Sequence, residues 1–256
     1  PVGLLASYSA MLKGASKDPR ANYLRALAAY LSGDMANVQT YSQRALSAAP
    51  NYLPAMLLAG ASSYALKQYE EADNYLGQYI HEVPQNIQAR KLLAATELAL
   101  NRPGDAVKTM TPAVAQAGED VSVLALIGQA AARNGDPNMA RQYLEKAVEK
   151  EPDNAGLRTE LGASQLALGD TANGIDELEK AAEQNPKALK PEIILFAAHM
   201  RAKEYDKALS VAERMQKNFA DNSIGLVLAG IAHIAKADTQ TGRAELLKVH
   251  DKEPGN

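Results

Sequence analysis

The sequence contains no cysteine and no tryptophan, and only two of its 256 residues are phenylalanine. The absence of cysteine excludes disulfide bonds and thiolate sites, although it does not distinguish an oxidising compartment from a reducing one. Because bulky aromatic residues are scarce, most of the core volume has to come from alanine and leucine, which are good helix formers. The composition therefore favours thin, closely packed layers of helices.

Long apolar runs and a strong net charge are also missing. No stretch reaches the roughly 18 consecutive apolar residues that a membrane-spanning helix needs, and the first residues lack the charged-then-apolar order of a signal peptide. The net charge is −3, which disfavours a protein that neutralises many phosphates. We therefore expect a soluble chain that has no membrane span and does not bind nucleic acid.

Turn residues recur at a fixed interval along the chain. Five prolines in similar contexts are separated by 34 or 68 residues, at Pro50, Pro84, Pro152, Pro186 and Pro254. A second turn lies midway between them, as at Gly33-Asp34 and Gly169-Asp170. The segments between turns have about 12 to 15 residues and carry apolar residues at helical spacing. Each 34-residue unit is therefore predicted to be a helix hairpin.

This interval divides the whole chain. Residues 1–18 match the second helix of a truncated repeat, and the seven predicted repeats follow at 19–52, 53–86, 87–120, 121–154, 155–188, 189–222 and 223–256. Because the chain opens halfway through a repeat, we expect it to be cut from a longer array.

Small residues occupy two fixed places in most of these units. The eighth position holds Gly60 and Gly162, among others, and the twentieth holds Ala72 and Gly174. Small residues at such points allow two helices to approach closely. The pattern resembles the tetratricopeptide repeat. The resemblance implies an all-α, right-handed superhelical solenoid of about 15 helices that binds other molecules along its concave face.

The chain departs from the family pattern at two positions. The eleventh position, aromatic or leucine in the family, instead holds polar residues in several units, including Glu97, Gln165, His199 and His233. Phe196 stands at the eighth position, where a small residue is usual. We therefore expect a slightly rotated first helix and a weaker sixth repeat.

Residues 158–162, 165–170 and 175–182 resemble the long repeat lipoproteins of bacterial exosortase (PEP-CTERM) systems, which accompany exopolysaccharide and protein-sorting loci. This resemblance implies a periplasmic or outer-membrane-attached scaffold in a bacterium.

Motifs for catalysis or cofactor binding are not found. The four histidines lie in no recognisable nucleophile or metal motif, and no phosphate-binding glycine loop is present. We therefore predict no enzyme activity, no cofactor and no metal. His199 and His233 occupy equivalent positions in adjacent units, so they form either a metal- or pH-sensing pair or simple filling between helices.

The tetratricopeptide resemblance places ligands against positions 2, 5, 9, 12 and 13 of each first helix. The candidate groove residues at these positions are Tyr23, Leu27, Tyr30, Leu57, Tyr64, Lys91, Leu98, Gln129, Arg133, Thr159, Lys190 and Arg201. No Asp or Glu occupies any of these positions, although the chain has 30 acidic residues. Either the groove prefers anionic ligands, or its apolar residues pack repeat against repeat and its cations are ordinary solvated side chains.

The leading hypothesis is a non-enzymatic protein–protein interaction scaffold that binds a peptide or protein partner, including partners with acidic groups. One alternative is direct binding of an anionic polysaccharide, for which the tyrosine-rich first units are suited. Another is a regulatory repeat domain of a larger protein.

Overall fold

The structure is a computed structural model that describes residues 17–252. Within that range it contains helices and no strands, which confirms the all-α prediction. The helices are α1 (Pro19–Leu31), α2 (Met35–Ala48), α3 (Leu53–Ala65), α4 (Tyr69–Glu82), α5 (Ile87–Ala99), α6 (Pro103–Ala117), α7 (Val121–Arg133), α8 (Pro137–Lys150), α9 (Ala155–Ala167), α10 (Thr171–Gln184), α11 (Leu189–Arg201), α12 (Tyr205–Asn218), α13 (Ile224–Ala235) and α14 (Thr239–Lys252). Of the helix predicted over residues 1–18, residues 1–16 lie outside the described part.

The odd-numbered helices begin 34 residues apart from α1 to α11, and α13 begins one residue later than this interval requires. A residue with positive φ lies in the turn after each odd-numbered helix. Three of these residues are glycines, and the others are Lys67, Asn101, Lys203 and Ala237. The division of the chain into seven repeat units stays a prediction.

Side-chain caps fix several helix starts. Asp120 accepts hydrogen bonds from the backbone N–H groups of Ser122 and Val123 at the start of α7. Asn154 does the same for Gly156 and Leu157 at the start of α9. Such caps satisfy donors that have no partner inside the helix, so the turn residues of the sequence also define where the first helices begin.

The helices fall into two compact units, Pro1–Asn134 and Gly135–Asn256. In the first unit, apolar side chains are buried between neighbouring helices in small clusters. One cluster contains Val38 and Leu58, and another contains Leu76 and Leu93. The core of this unit is thus spread along the stack of helices, as expected where helices contact mainly their neighbours.

The second unit contains a larger cluster, built around Leu178, Leu195, Val211 and Met215. Phe196 belongs to this cluster and is only 6% exposed. The bulky residue at a normally small position is therefore accommodated inside the core between α11 and its neighbours. Within the described range, no helix combines the length and the apolar character needed to cross a membrane.

Candidate ligand groove

The predicted groove residues all lie on odd-numbered helices, nine in the first unit and three in the second. Ten of the twelve are at least partly exposed. Leu98 and Thr159 are the exceptions, with 5% and 4% exposure, and the Thr159 hydroxyl donates to the Ala155 carbonyl oxygen at 2.7 Å. These two side chains pack between helices and present almost no surface to a ligand. They are therefore removed from the set of candidate groove residues.

Exposed apolar residues are concentrated at the predicted groove positions. Seven large apolar side chains of the described residues are exposed. Five of them stand at these positions on α1, α11 and α13, namely Tyr30, Leu31, Ile193, Ile231 and Ile234. Water-exposed apolar side chains that recur on one helix face mark candidate interaction surfaces. We call Ile193, Ile231 and Ile234, together with Arg201, the isoleucine face of the second unit.

In the first unit, two predicted groove cations connect elements of adjacent hairpins. The Lys91 ammonium on α5 donates to the Ser122 hydroxyl on α7, and Arg133 Nη2 at the end of α7 donates to Asn101 Oδ1 at 3.4 Å. The Ser122 hydroxyl in turn donates to Asp120, and this hydrogen bond lowers the pKa of that carboxyl. These cations are therefore partly engaged in holding neighbouring elements together.

In the second unit, one groove cation is neutralised. The Lys190 ammonium on α11 forms an ion pair with Glu160 on α9. Glu160 stands at the sixth repeat position, outside the five positions that the family pattern assigns to the groove. It supplies a carboxylate beside a groove that was expected to lack acidic groups. Arg201 is exposed, and its Nη2 donates to the Leu166 carbonyl oxygen at 3.4 Å.

The tyrosine-rich part of the first unit combines packing with exposure. The rings of Tyr23 and Tyr52 meet edge to face with centroids 5.7 Å apart, and burial raises the pKa of the Tyr23 hydroxyl. The ring centroids of Tyr64 and Tyr69 lie 5.8 Å apart, and the two rings are tilted relative to each other. Tyr30 is 45% exposed and is the aromatic groove residue most open to a ligand.

The two aligned histidines each have carboxylate neighbours of their own. His199 is 4% exposed, and its Nδ1 lies 2.8 Å from Glu204 Oε2. His233 Nδ1 lies 3.5 Å from Asp238 Oδ2, and its Nε2 lies 3.9 Å from Glu245 Oε2. Each histidine is therefore paired with carboxylates of its own hairpin. Among the described residues, no group of three or more metal-ligating side chains is placed to hold a metal ion.

Models of a known protein family match the central helix hairpins. Two models of the tetratricopeptide repeat match the chain, one over residues 63–130 and the other over residues 125–188. Residues 63–188 thus match tetratricopeptide repeats. The repeats found by these models cover the centre of the array and include parts of both compact units. No curated protein shows significant similarity to the chain.

Solved structures share this fold at low sequence identity. YrrB, described as a TPR protein with an unusual peptide-binding site, matches with a TM-score of 0.66 and 16% identity, covering 77% of this chain and 97% of its own. PilW, a type IV pilus biogenesis factor, matches with a TM-score of 0.65 and 16% identity, covering 80% of this chain and 94% of its own. PilF from Pseudomonas aeruginosa matches with a TM-score of 0.61 and 19% identity, covering 80% of this chain and 93% of its own. At these identities the likeness establishes the fold of the repeats.

Proposed function

We propose that this repeat protein is a non-enzymatic interaction scaffold that binds a peptide or protein partner along its odd-numbered helices. One observation carries the proposal: five of the seven exposed large apolar side chains of the described residues stand at the predicted groove positions. Burying such side chains against a partner contributes about 25 cal/mol per Å² of apolar surface. A folded chain gains nothing from leaving them in water, and a bound peptide would cover them.

The isoleucine face of the second unit is the best-supported part of this groove. Ile193 and Arg201 are eight residues apart on α11, and Ile231 and Ile234 are three residues apart on α13, so each pair shares one side of its helix. Among the described residues, Arg201 forms a single long hydrogen bond, to the Leu166 carbonyl oxygen, and a guanidinium has five donors. A partner with apolar side chains and a carboxylate would fit this combination.

The fold likeness to YrrB supports a peptide as the partner class, because a peptide-binding site is stated for that protein. The setting in an exosortase-linked polysaccharide or sorting system, with attachment to the outer membrane or a place in the periplasm, rests on the sequence resemblance alone. Neither the family models nor the solved structures support that setting.

Direct binding of an anionic polysaccharide is the second candidate. The exposed Tyr30 ring and the neighbouring tyrosines of the first unit favour it, since aromatic faces stack on sugar rings. The two candidates place the ligand on different units, so variants in each unit separate them. A regulatory role in a larger protein would be recognised from the complete open reading frame.

Selection of peptides from a random displayed library against the purified chain tests the leading proposal. Selected peptides are expected to lose at least tenfold in affinity when Ile231 and Ile234 are both replaced by serine. The matched control is Leu247→Ser, because Leu247 is 52% exposed but lies on an even-numbered helix. Equal affinity of the wild type and the double variant for every selected peptide would refute peptide binding at the isoleucine face.

The carboxylate preference is tested by reversing charge. We expect Arg201→Glu to weaken peptides that carry a carboxylate, most strongly at low salt, where exposed charges are least screened. Arg243→Glu on α14 changes the net charge equally away from the predicted groove and serves as control. A glycan array tests the polysaccharide candidate. That candidate would be favoured if the chain binds a saccharide, if Tyr30→Ala abolishes this binding, and if the library yields no binding peptide.

A further inference from the structure

A carboxylic acid is buried inside the α5–α6 hairpin. Glu97 stands at the eleventh repeat position on α5 and is only 7% exposed. Its Oε1 accepts a hydrogen bond from the Thr109 hydroxyl on α6 at 3.0 Å. Its Oε2 is also buried and has no hydrogen-bond partner among the described residues. A carboxylate in such a place has lost water without gaining full compensation, which disfavours the ionised form.

A cation that acts on Glu97 is already engaged. Arg102, in the turn between α5 and α6, forms an ion pair with Asp73 on α4 at 2.5 Å. The interaction with Asp73 raises the pKa of Arg102, so the guanidinium stays charged. Within the described range, its buried Nε and its Nη2, the atom close to Asp73, both lack an aligned hydrogen-bond partner. Arg102 therefore compensates the Glu97 carboxylate only from a distance.

Other charges around Glu97 come from the packed elements on both sides. Asp73 on α4 and Asp105 on α6 each disfavour a further negative charge, and Arg102 in the turn opposes them weakly. Burial is the largest effect and the Thr109 hydrogen bond acts against it. Together they raise the pKa of Glu97 to about 7 from an ordinary value of 4.5.

The turn and the second helix of the hairpin that encloses Glu97 contain features that lower its local stability. The turn places Asn101, which is not glycine, at φ 57°. The start of α6 lacks a side-chain cap, and α6 contains Pro112 in its interior. An internal proline removes a helical hydrogen bond. Arg90 on α5 still donates to the Thr109 carbonyl oxygen on α6 at 2.9 Å, so proton loss from Glu97 acts on a hairpin that is packed but not optimal at its turn and second helix.

We propose that the α5–α6 hairpin is a pH-responsive joint, in which protonated Glu97 keeps α5 packed on α6 and loss of this proton loosens the pair. The closed hairpin buries a neutral carboxyl at a lower cost than a carboxylate, whereas the opened hairpin lets the carboxylate reach water. This behaviour follows from the interior of one hairpin and does not depend on what the array binds.

The direction of the pH effect follows from proton linkage. Because the pKa of Glu97 is higher in the closed hairpin than in the open one, the stabilisation is complete below about pH 4.5 and is lost as the pH rises through about 7. With these two values, raising the pH from about 6 to about 8 increases the opened fraction of the hairpin about tenfold.

Two measurements on the whole chain test the joint. The first follows the ¹³C chemical shift of the glutamate side-chain carboxyl carbons against pH, with Glu97→Gln to assign the resonance. We expect one carboxyl to titrate near pH 7 and to be missing in the variant. A Glu97 resonance that titrates near 4.5 overturns the proposal directly, whatever the stability of the variant.

The second measurement is amide hydrogen exchange of α5 and α6, corrected for the intrinsic dependence of exchange on pH. Protection in the wild type is expected to fall about tenfold between about pH 6 and pH 8, and Glu97→Gln is expected to abolish this fall. Glu70→Gln removes an exposed carboxylate from α4 and should leave it unchanged. An equal fall in wild type and Glu97→Gln would overturn the proposal.

Discussion

Gly162 on α9 and Gly174 on α10 face each other so closely that neither position has room for a methyl group. A Cβ atom on Gly162 would lie 2.8 Å from the Gly174 carbonyl oxygen, and one on Gly174 would lie 2.9 Å from the Gly162 carbonyl oxygen. Both obstacles are backbone atoms, which cannot move aside as a flexible side chain can. The approach of these two helices is therefore set by the absence of side chains at both points.

Replacing Gly162 by alanine should destabilise the α9–α10 hairpin. Alanine gains about 1 kcal/mol of helix propensity over glycine, but overpacking a core typically costs about 1–3 kcal/mol, so we expect a net loss of up to about 2 kcal/mol. Urea denaturation followed by circular dichroism measures it. Gly77→Ala is the matched control, because a Cβ at Gly77 on α4 would meet nothing within 4 Å.

The control is expected to change stability in the opposite direction, by about 0.5–1 kcal/mol. If both substitutions stabilise the protein to a similar extent, the close approach of α9 and α10 imposes no steric limit.

A buried carboxylate joins α11 to α12. Glu192 is 1% exposed, and Arg214 binds it through two parallel hydrogen bonds, from Nε at 2.8 Å and from Nη2 at 2.7 Å. Arg214 also donates to Glu179 on α10 at 2.9 Å. Removing the arginine leaves the Glu192 charge buried without compensation, so we expect Arg214→Met to lower the free energy of unfolding by about 3–5 kcal/mol.

Two further variants separate this effect from the general effect of losing a charge. Lys180→Met breaks an exposed pair with Asp176 on α10 and should leave stability nearly unchanged, because exposed ion pairs contribute little. The double variant Arg214→Met/Glu192→Leu should recover most of the loss, because the buried charge is gone. A double variant as unstable as the sum of the single variants would contradict this account.

The turns with positive φ differ in how well their residues suit that conformation. Lys203 adopts φ 59°, while Gly169 occupies the equivalent place in the preceding hairpin with φ 82°. Left-handed backbone costs a residue with a side chain about 1–2 kcal/mol. We expect Lys203→Gly to raise the free energy of unfolding by about 0.5–1 kcal/mol and Gly169→Lys to lower it. Thermal denaturation at matched pH compares the pair, and changes of the same sign would rule out backbone strain as the cause.

The helix caps provide a further matched comparison. Asn154 accepts hydrogen bonds from two backbone N–H groups of α9, whereas the Asp170 side chain accepts none from the backbone of α10 and, among the described residues, is bound only by the Asn173 side-chain amide. Loss of a capping side chain typically costs about 1 kcal/mol, so Asn154→Ala should be clearly more destabilising than Asp170→Ala. Urea midpoints measured on both variants check the order, and the reverse order would show that capping does not decide the start of α9.

The sequence predicted the hairpins well because turns and helical spacing are local properties. Gly33, Gly135 and Gly169 were recognised as turn residues, and each has a positive φ in the structure. The helix starts followed from the 34-residue interval, except that α13 begins at Ile224, after Ser223.

The site was predicted less completely, because its chemistry depends on pairs of residues distant in the sequence. The ion pair between Lys190 and Glu160 joins different hairpins, and no local sequence pattern predicts it. The burial of Glu97 could have been suspected from its place at the normally apolar eleventh position. Its missing hydrogen-bond partner depends on where Arg102 is directed, which only the packed structure reveals.

The uneven placement of the tyrosines makes the two compact units optically distinguishable. Since the chain has no tryptophan, its intrinsic emission comes from tyrosine. Eight tyrosines of the described residues lie in the first unit, where Tyr23 and Tyr52 are in contact, and two lie in the second. Fluorescence therefore reports mainly on the first unit, whereas the helical circular dichroism signal reports on both. Non-coincident unfolding curves from these two probes would mean that the two halves of the array unfold as separate cooperative blocks.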